Sequence, residues 1–216
     1  SVLEYRDLGY LPEAIVNFIA LLGWNPKNDR ELFKMRELIS EFKLKNVNSS
    51  PAIFDVEKLD WMNKEYIMSS DLNELRSYLG SFGVRELTDD KIELIKRGGF
   101  STLLEAANYL KDLEKIPDYE GKLLIFKKSD QSKTFRGLSA VRSKITTVAN
   151  WTEEILQKLL ESIVAEEKLS NGDVFWPVRV ALSGKEKSPS PVELLLALGK
   201  EESIKRLQLA LDKINK

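Results

Sequence analysis

Neither histidine nor cysteine occurs in the 216 residues, so any chemistry the chain performs must come from carboxylates, lysines or tyrosines. The missing imidazole removes the commonest general base and metal ligand, and with it Ser-His-Asp catalysis and His-built zinc sites. The missing thiol removes the Cys nucleophile, the thiolate-bound zinc and the disulfide. No Gly-rich phosphate loop and no paired-acid motif stands above the background of 34 acidic residues, which ranks a carboxylate- or lysine-based enzyme last. Two arrangements suit binding instead. Lys58 and Trp61 lie three residues apart on one expected helix, so both reach one surface and the aromatic can support a backbone-contacting lysine; the alternative is a core Trp beside a solvated Lys. Lys122, Lys127, Lys128, Lys133, Arg136, Arg142 and Lys144 form a basic stretch interleaved with Phe126 and Phe135 that could track phosphates, against the alternative of ordinary solvated helix faces.

The chain as a whole does not advertise nucleic acid. Lys plus Arg (33) nearly balances Asp plus Glu (34), so any RNA contact must be built locally. With 43% hydrophobic and 31% charged residues the composition is that of a folded, helix-favouring protein, and the length admits one large domain or two small ones. No apolar run approaches the ~20 residues of a membrane span. The opening Ser1-Val2-Leu3-Glu4 resembles neither a signal peptide nor an initiator Met, so the expectation is a cytoplasmic protein, without membrane, cut from something longer.

Helical punctuation recurs along the chain. Ile15, Phe18, Ile19 and Leu22 fall at helical spacing over 11–22, with Pro12 in the first turn and Gly23 just past the end. A second pattern runs through Leu38, Ile39 and Phe42, and Ser49-Ser50-Pro51 predicts an extended connection. Asp55 caps the next helix, with Phe54 and Leu59 spaced as a hydrophobic staple. Short helices follow over 72–82 and 89–97, broken at Gly83. Thr102-Leu103-Leu104-Glu105 reads as a capping box for a helix to Leu113. The apolar run Leu123 to Phe126 fits either a strand or a buried helical turn. Helices are expected from Ser132 to Asn150, after a Thr152 cap, from Ser190-Pro191 to Gly199, and from Glu201 onward. The fold class expected is all-α, two successive helical bundles with domains 1–70 and 71–216, the latter open to a further break near 115–130.

Three segments carry a resemblance. Tyr5-Arg6-Asp7-Leu8-Gly9-Tyr10-Leu11-Pro12-Glu13-Ala14, with Asn17 and Leu21-Leu22-Gly23-Trp24, resembles the stretch after the KMSKS-type loop of bacterial glutamyl-tRNA synthetases. Phe54-Asp55-Val56-Glu57-Lys58-Leu59-Asp60-Trp61-Met62-Asn63 with Tyr66-Ile67 is similar to that family's next signature. Pro177-Val178-Arg179-Val180-Ala181-Leu182-Ser183-Gly184, followed by Pro189, Glu193 and Leu198-Gly199-Lys200-Glu201, is similar to its closing motif. The resemblance implies a stem-contact fold against the inner corner of the tRNA, then an anticodon-binding region. It also implies that the HIGH-type and KMSKS-type catalytic motifs, with ATP and L-glutamate as the parent enzyme's substrates, lie outside this sequence, which would hold no cofactor and no catalytic residue of its own.

The same resemblance assigns residues. Tyr10, Lys58 and Trp61 would contact the tRNA stem. Arg179 falls where the family holds an anticodon-reading arginine, a role suited to a planar guanidinium that grips a base edge or stacks on a base; the alternative is a surface ion pair. Ser188 falls at an anticodon-contacting hydroxyl, or is a turn-forming serine. The position of an arginine that reads the third anticodon base falls on Gly99, with Arg97 two residues earlier. If Gly99 holds that position, the discriminating side chain is missing and the enzyme would accept tRNA-Gln beside tRNA-Glu; if the register shifts, Arg97 restores the contact. The partners expected are these tRNAs, bound by a monomer. A helical protein-interaction scaffold without tRNA affinity is the rival.

Overall fold

The computed structural model describes residues 1–48 and 53–215, so the Ser49-Ser50-Pro51 connection lies outside the described residues. Eleven α-helices, two 3-10 turns and one isolated antiparallel bridge, Trp24 to Val47, make up the regular structure among the described residues, and the all-α expectation holds. No described helix is long and apolar enough to cross a membrane. Packing sorts the chain into two compact units, Ser1–Leu87 with Ile95–Tyr109, and Thr88–Leu94 with Leu110–Lys216.

The first unit holds α1 (Val2–Leu8), α2 (Pro12–Gly23), α3 (Met35–Glu41), α4 (Val56–Ser69), α5 (Leu72–Ser81), the end of α6 (Asp89–Gly98) and most of α7 (Leu103–Leu113). Helix α1 carries no buried residue, which is why periodicity does not reveal it. It ends at Gly9 in the left-handed conformation (φ 87°), and a Cβ there would lie 2.6 Å from the backbone N of Leu104, so space and backbone both demand glycine. Pro12 opens α2 as expected, but Gly23 is its last residue and extended Trp24 follows. Asp55 caps α4 by accepting the Lys58 N–H at 3.1 Å, while Phe54 sets its ring on Tyr5 and Phe18. Tyr10, Phe18, Leu59 and Met62 form one core cluster, and Trp24, Phe33 and Leu38 another.

Two buried amides lace this unit. Asn63 accepts from Leu11 N–H (2.8 Å) and donates to the Ser101 carbonyl (2.6 Å), tying the start of α2 to the entry of α7. Asn17 accepts from Phe33 N–H (2.7 Å) and donates to the Glu31 carbonyl (2.8 Å). Both satisfy backbone groups that burial would otherwise leave unpaired.

The second unit is built on α8 (Gln131–Thr147), α9 (Glu153–Glu166), α10 (Asn171–Ser183) and α11 (Pro191–Ile214). The run after Gly121 forms a 3-10 turn, Gly121–Leu124, with Leu124 fully buried, which settles the strand-or-turn alternatives. Helix α8 starts one residue early, on an Asp130 cap, and ends three residues short of Asn150 as Val148 turns extended. Helix α10 escapes the pattern because it is apolar nearly all round and holds Pro177 inside. Proline has no N–H, so the Asp173 carbonyl loses its helical partner. Helix α8 passes close to it: a Cβ on Gly137 would lie 2.3 Å from that oxygen. Ser190 and Glu193 cap α11 reciprocally, and Gly199 (φ 74°, ψ 172°) breaks it into two segments, as the sequence suggests.

One buried charge is unforeseen. Arg206 on α11 is 1% exposed and donates to the carbonyls of Leu182 (2.6 Å) and Leu113 (2.7 Å), in the last turns of α10 and α7, while pairing with Glu202 at 2.8 Å. Terminal helical carbonyls lack intrahelical partners, and one guanidinium serves two such ends.

Candidate nucleic-acid interface

The candidate residues divide between the units. Tyr10, Lys58, Trp61, Arg97 and Gly99 fall in the first, Arg179 and Ser188 in the second.

In the first unit, Tyr10 is a brace. It is 7% exposed and its hydroxyl donates to Asp60 on α4. Burial first, then the Asp60 hydrogen bond, push its pKa well up, so the phenol stays neutral and its donor stays committed. Lys58 pairs with Glu31 at 2.5 Å, with both side chains over a third exposed. Such a pair stabilises by at most about 1 kcal/mol and yields readily to a stronger anion. Trp61, one turn on, is 40% exposed, which overturns the core-Trp alternative. A large indole left in solvent on a folded helix is an available stacking face.

Arg97 lies exposed in the last turn of α6 and is engaged within the chain. Gly98 ends α6, and Gly99 follows with φ 74°, the left-handed residue that ends many helices. A Cβ at Gly99 would lie 3.2 Å from Lys64 Nζ and 3.4 Å from its Cε. Thr102 caps α7 by accepting from Glu105 N–H at 3.2 Å, but the Glu105 carboxylate reaches Ser101 N–H (3.1 Å), so the box is displaced by one residue.

In the second unit, Arg179 sits half-buried on α10 with its Cζ 4.8 Å from the centre of the Trp176 ring, three residues earlier. Its Nε is buried without a hydrogen-bond partner, and no carboxylate among the described residues pairs with it, so the surface ion-pair alternative fails. Trp176 is itself fixed: Nε1 donates to the Leu123 carbonyl at 2.9 Å, and Phe126 packs on its ring at 5.6 Å. Gly172 makes room for Phe126, since a Cβ there would come within 2.3 Å of that ring. The guanidinium thus rests on an aromatic platform with donors to spare, a cation held in a chosen orientation.

Ser188 lies beside the same helix end. Its hydroxyl is 3.1 Å from that of Ser183, which donates to the Arg179 carbonyl at 2.8 Å. Gly184 (φ 71°) turns the chain between them, and a Cβ there would lie 2.7 Å from Pro117 Cβ. Trp176 and Ser183 are the contacting neighbours of Arg179 and Ser188 that sequence reasoning misses. The Trp-x-x-Arg spacing on one helix was the available signal.

The basic stretch is largely neutralised. Lys122 pairs with Glu120, Lys133 with Asp130, Arg136 with Glu167 and Lys144 with Glu166, at 2.5 to 3.3 Å. Phe126 is spent on Trp176, so the solvated-face alternative fits this stretch better than a phosphate track.

Comparison with known proteins returns two family models and many relatives. The model described as a class I (E and Q) tRNA synthetase catalytic domain matches residues 1–61, and the anticodon binding domain model matches 56–211. A glutamate–tRNA ligase of Clostridium botulinum (strain Okra) is 37% identical over 221 residues, and one of Clostridium novyi is 37% identical over 228. Each alignment covers 98% of this chain and 46% of the relative, so the chain spans about half the length of the curated relatives it matches. A crystal structure of a glutamate tRNA ligase from Elizabethkingia meningosepticum, in complex with its amino acid, superposes with TM-score 0.79 at 26% identity, over 97% of this chain and 43% of that one. A glutamate–tRNA synthetase from Elizabethkingia anophelis superposes with TM-score 0.74, also at 26% identity, over 96% and 42%. The anticodon binding domain model spans most of the sequence, including the Trp176–Arg179 platform, and the chain belongs to that family of tRNA synthetase domains.

Proposed function

We propose that this chain is the tRNA-docking, anticodon-reading portion of a glutamate–tRNA ligase, a cytoplasmic monomer whose preceding half activates L-glutamate with ATP. The chain carries no aminoacylation site of its own; its contribution is positioning and specificity. Residues 1–70 dock the tRNA stem through Lys58 and Trp61, with Tyr10 bracing the helix that carries them, and residues 71–216 read the anticodon through Arg179 and Ser188. The observation that carries this is Arg179: a cation without an acidic partner, seated on Trp176 beside a pair of hydroxyls. Unstacked anticodon bases present planes and edges that suit it.

We propose further that the parent enzyme accepts tRNA-Gln as well as tRNA-Glu. What supports this is that Gly99, aligned with a base-reading arginine, presents no side chain, while Arg97 is already engaged within the chain.

Titrating the chain with tRNA-Glu, tRNA-Gln and an unrelated tRNA at two salt concentrations, and repeating with Arg179→Ala, tests both statements. Salt-sensitive binding to the first two that weakens in the variant is the expected result. Equal binding to all three, untouched by the substitution, refutes anticodon reading, and salt-insensitive capture of a protein partner with no tRNA affinity favours the scaffold. A full-length enzyme that rejects tRNA-Gln by more than about a hundredfold, roughly 2.7 kcal/mol, excludes relaxed specificity.

A further inference from the structure

Lys64 on α4 is absent from every assignment above, yet its placement is unusual. Its side chain is half-buried and its Nζ lies 3.2 Å from the point where a side chain at Gly99 would begin. Among the described residues no hydrogen bond or ion pair engages the ammonium. Lys58, on the same helix, is paired with Glu31. The three donors of Lys64 are therefore unused, although its stem is already partly ordered against the turn that follows α6.

The surroundings point to the ligand. Exposed Trp61 lies three residues earlier on the same helix, so the indole and the ammonium are surface neighbours. The nearby end of α6 carries the partial negative charge of a helix C-terminus, which favours a cation there without occupying its donors. A positive, donor-rich point beside an open aromatic face recurs where proteins follow a nucleic-acid backbone. The cost of immobilising a long lysine is already partly met by its half-burial.

We infer that Lys64 binds an RNA backbone phosphate at the turn closed by Gly99, delivering from α4 the positive charge that position 99 does not carry. This rests on the tRNA-binding reading above. The contact is independent of base identity, so it contributes affinity to every tRNA rather than choosing among them.

The test compares the unsubstituted chain, Lys64→Ala and Lys64→Arg against a tRNA-Glu transcript between 50 and 200 mM salt. Removing one phosphate contact lowers the slope of log K against log salt by about 0.7 to 0.9, so over that range the unsubstituted chain loses about threefold more affinity than Lys64→Ala. Lys64→Arg restores the slope, and both variants melt within a few degrees of the parent because no hydrogen bond or ion pair is lost. If the unsubstituted chain binds with a salt-dependent slope and Lys64→Ala leaves that slope unchanged, the inference fails while the tRNA reading stands. A drop of several degrees in the Lys64→Ala midpoint, or no recovery with Arg, assigns the residue to structure and also overturns it. No salt-dependent binding by the unsubstituted chain removes the tRNA reading and this inference together.

Discussion

Replacing Arg206 by methionine isolates what one buried guanidinium does for the second unit. Methionine keeps much of the side-chain volume, so the change deletes donors more than it opens a cavity. Two carbonyls, Leu113 and Leu182, lose charge-assisted bonds of 2.7 and 2.6 Å in a place that water barely reaches, since Arg206 is 1% exposed. An unsatisfied buried acceptor costs about 1–3 kcal/mol, so the pair costs roughly 2–6 kcal/mol. Glu202, 30% exposed, can rehydrate and adds little. The central value is about 4 kcal/mol. For a unit of about 110 residues this lowers the melting midpoint by roughly 17 °C. Urea unfolding followed by circular dichroism measures it, with an unchanged m-value expected because the surface exposed on unfolding is the same. A loss below about 1 kcal/mol would refute the reasoning, showing that the two helix ends do not depend on this cation.

Further outcomes follow from the same contacts. Burial pushes the Tyr119 phenol up to about 12, so the folded unit holds its proton between pH 10 and 12 while the unfolded chain releases it. Stability from this group is full below pH 10 and lost as pH rises toward 12; the Tyr119→Phe difference in urea midpoint should therefore change across that window and be flat below it. Gly9→Ala combines a left-handed backbone with a Cβ 2.6 Å from Leu104 N, and should destabilise the first unit by about 2 kcal/mol or more in a thermal melt. Trp176→Leu removes the platform beneath Arg179 and should weaken tRNA binding about two- to fivefold, from the 0.5–1 kcal/mol of an exposed cation–π contact. An additional Arg179→Ala change on that background should then cost less than it does alone, as a double-mutant cycle would show.

The helices that declared themselves in the sequence are those with both an amphipathic stripe and a chemical boundary. Asp55, Thr152 and Ser190 accept from Lys58, Ile155 and Glu193 N–H groups as their spacing demands. The two that stayed hidden lack the stripe for opposite reasons: α1 buries nothing, and α10 buries seven of its thirteen residues while carrying Pro177. Candidate residues were legible only as residue types. That Tyr10 is committed to Asp60, that Lys58 is paired and that Arg179 has no acidic partner all depend on neighbours more than twenty residues away, or on their absence, which spacing along the chain does not encode. Arg206 was invisible for the same reason, since a lone arginine in a helix usually reads as surface.

Gly99 shows how a backbone requirement can imitate a functional one. It follows the last residue of α6 with φ 74°, a conformation that costs a side-chain-bearing residue about 1 kcal/mol or more, so ending the helix is sufficient reason for glycine there. Relaxed tRNA specificity therefore stands or falls on the comparison of tRNA-Glu with tRNA-Gln. The two cationic roles at this turn are separable in that comparison. A lysine on phosphate changes the affinity of both tRNAs by the same factor, because the backbone is common to them. A guanidinium on a base edge changes one and spares the other, since the donors it offers match only one base. If Lys64→Ala weakens both tRNAs equally and Arg97→Ala weakens neither selectively, discrimination at this turn is absent for a reason of backbone geometry, with charge retained and base reading lost.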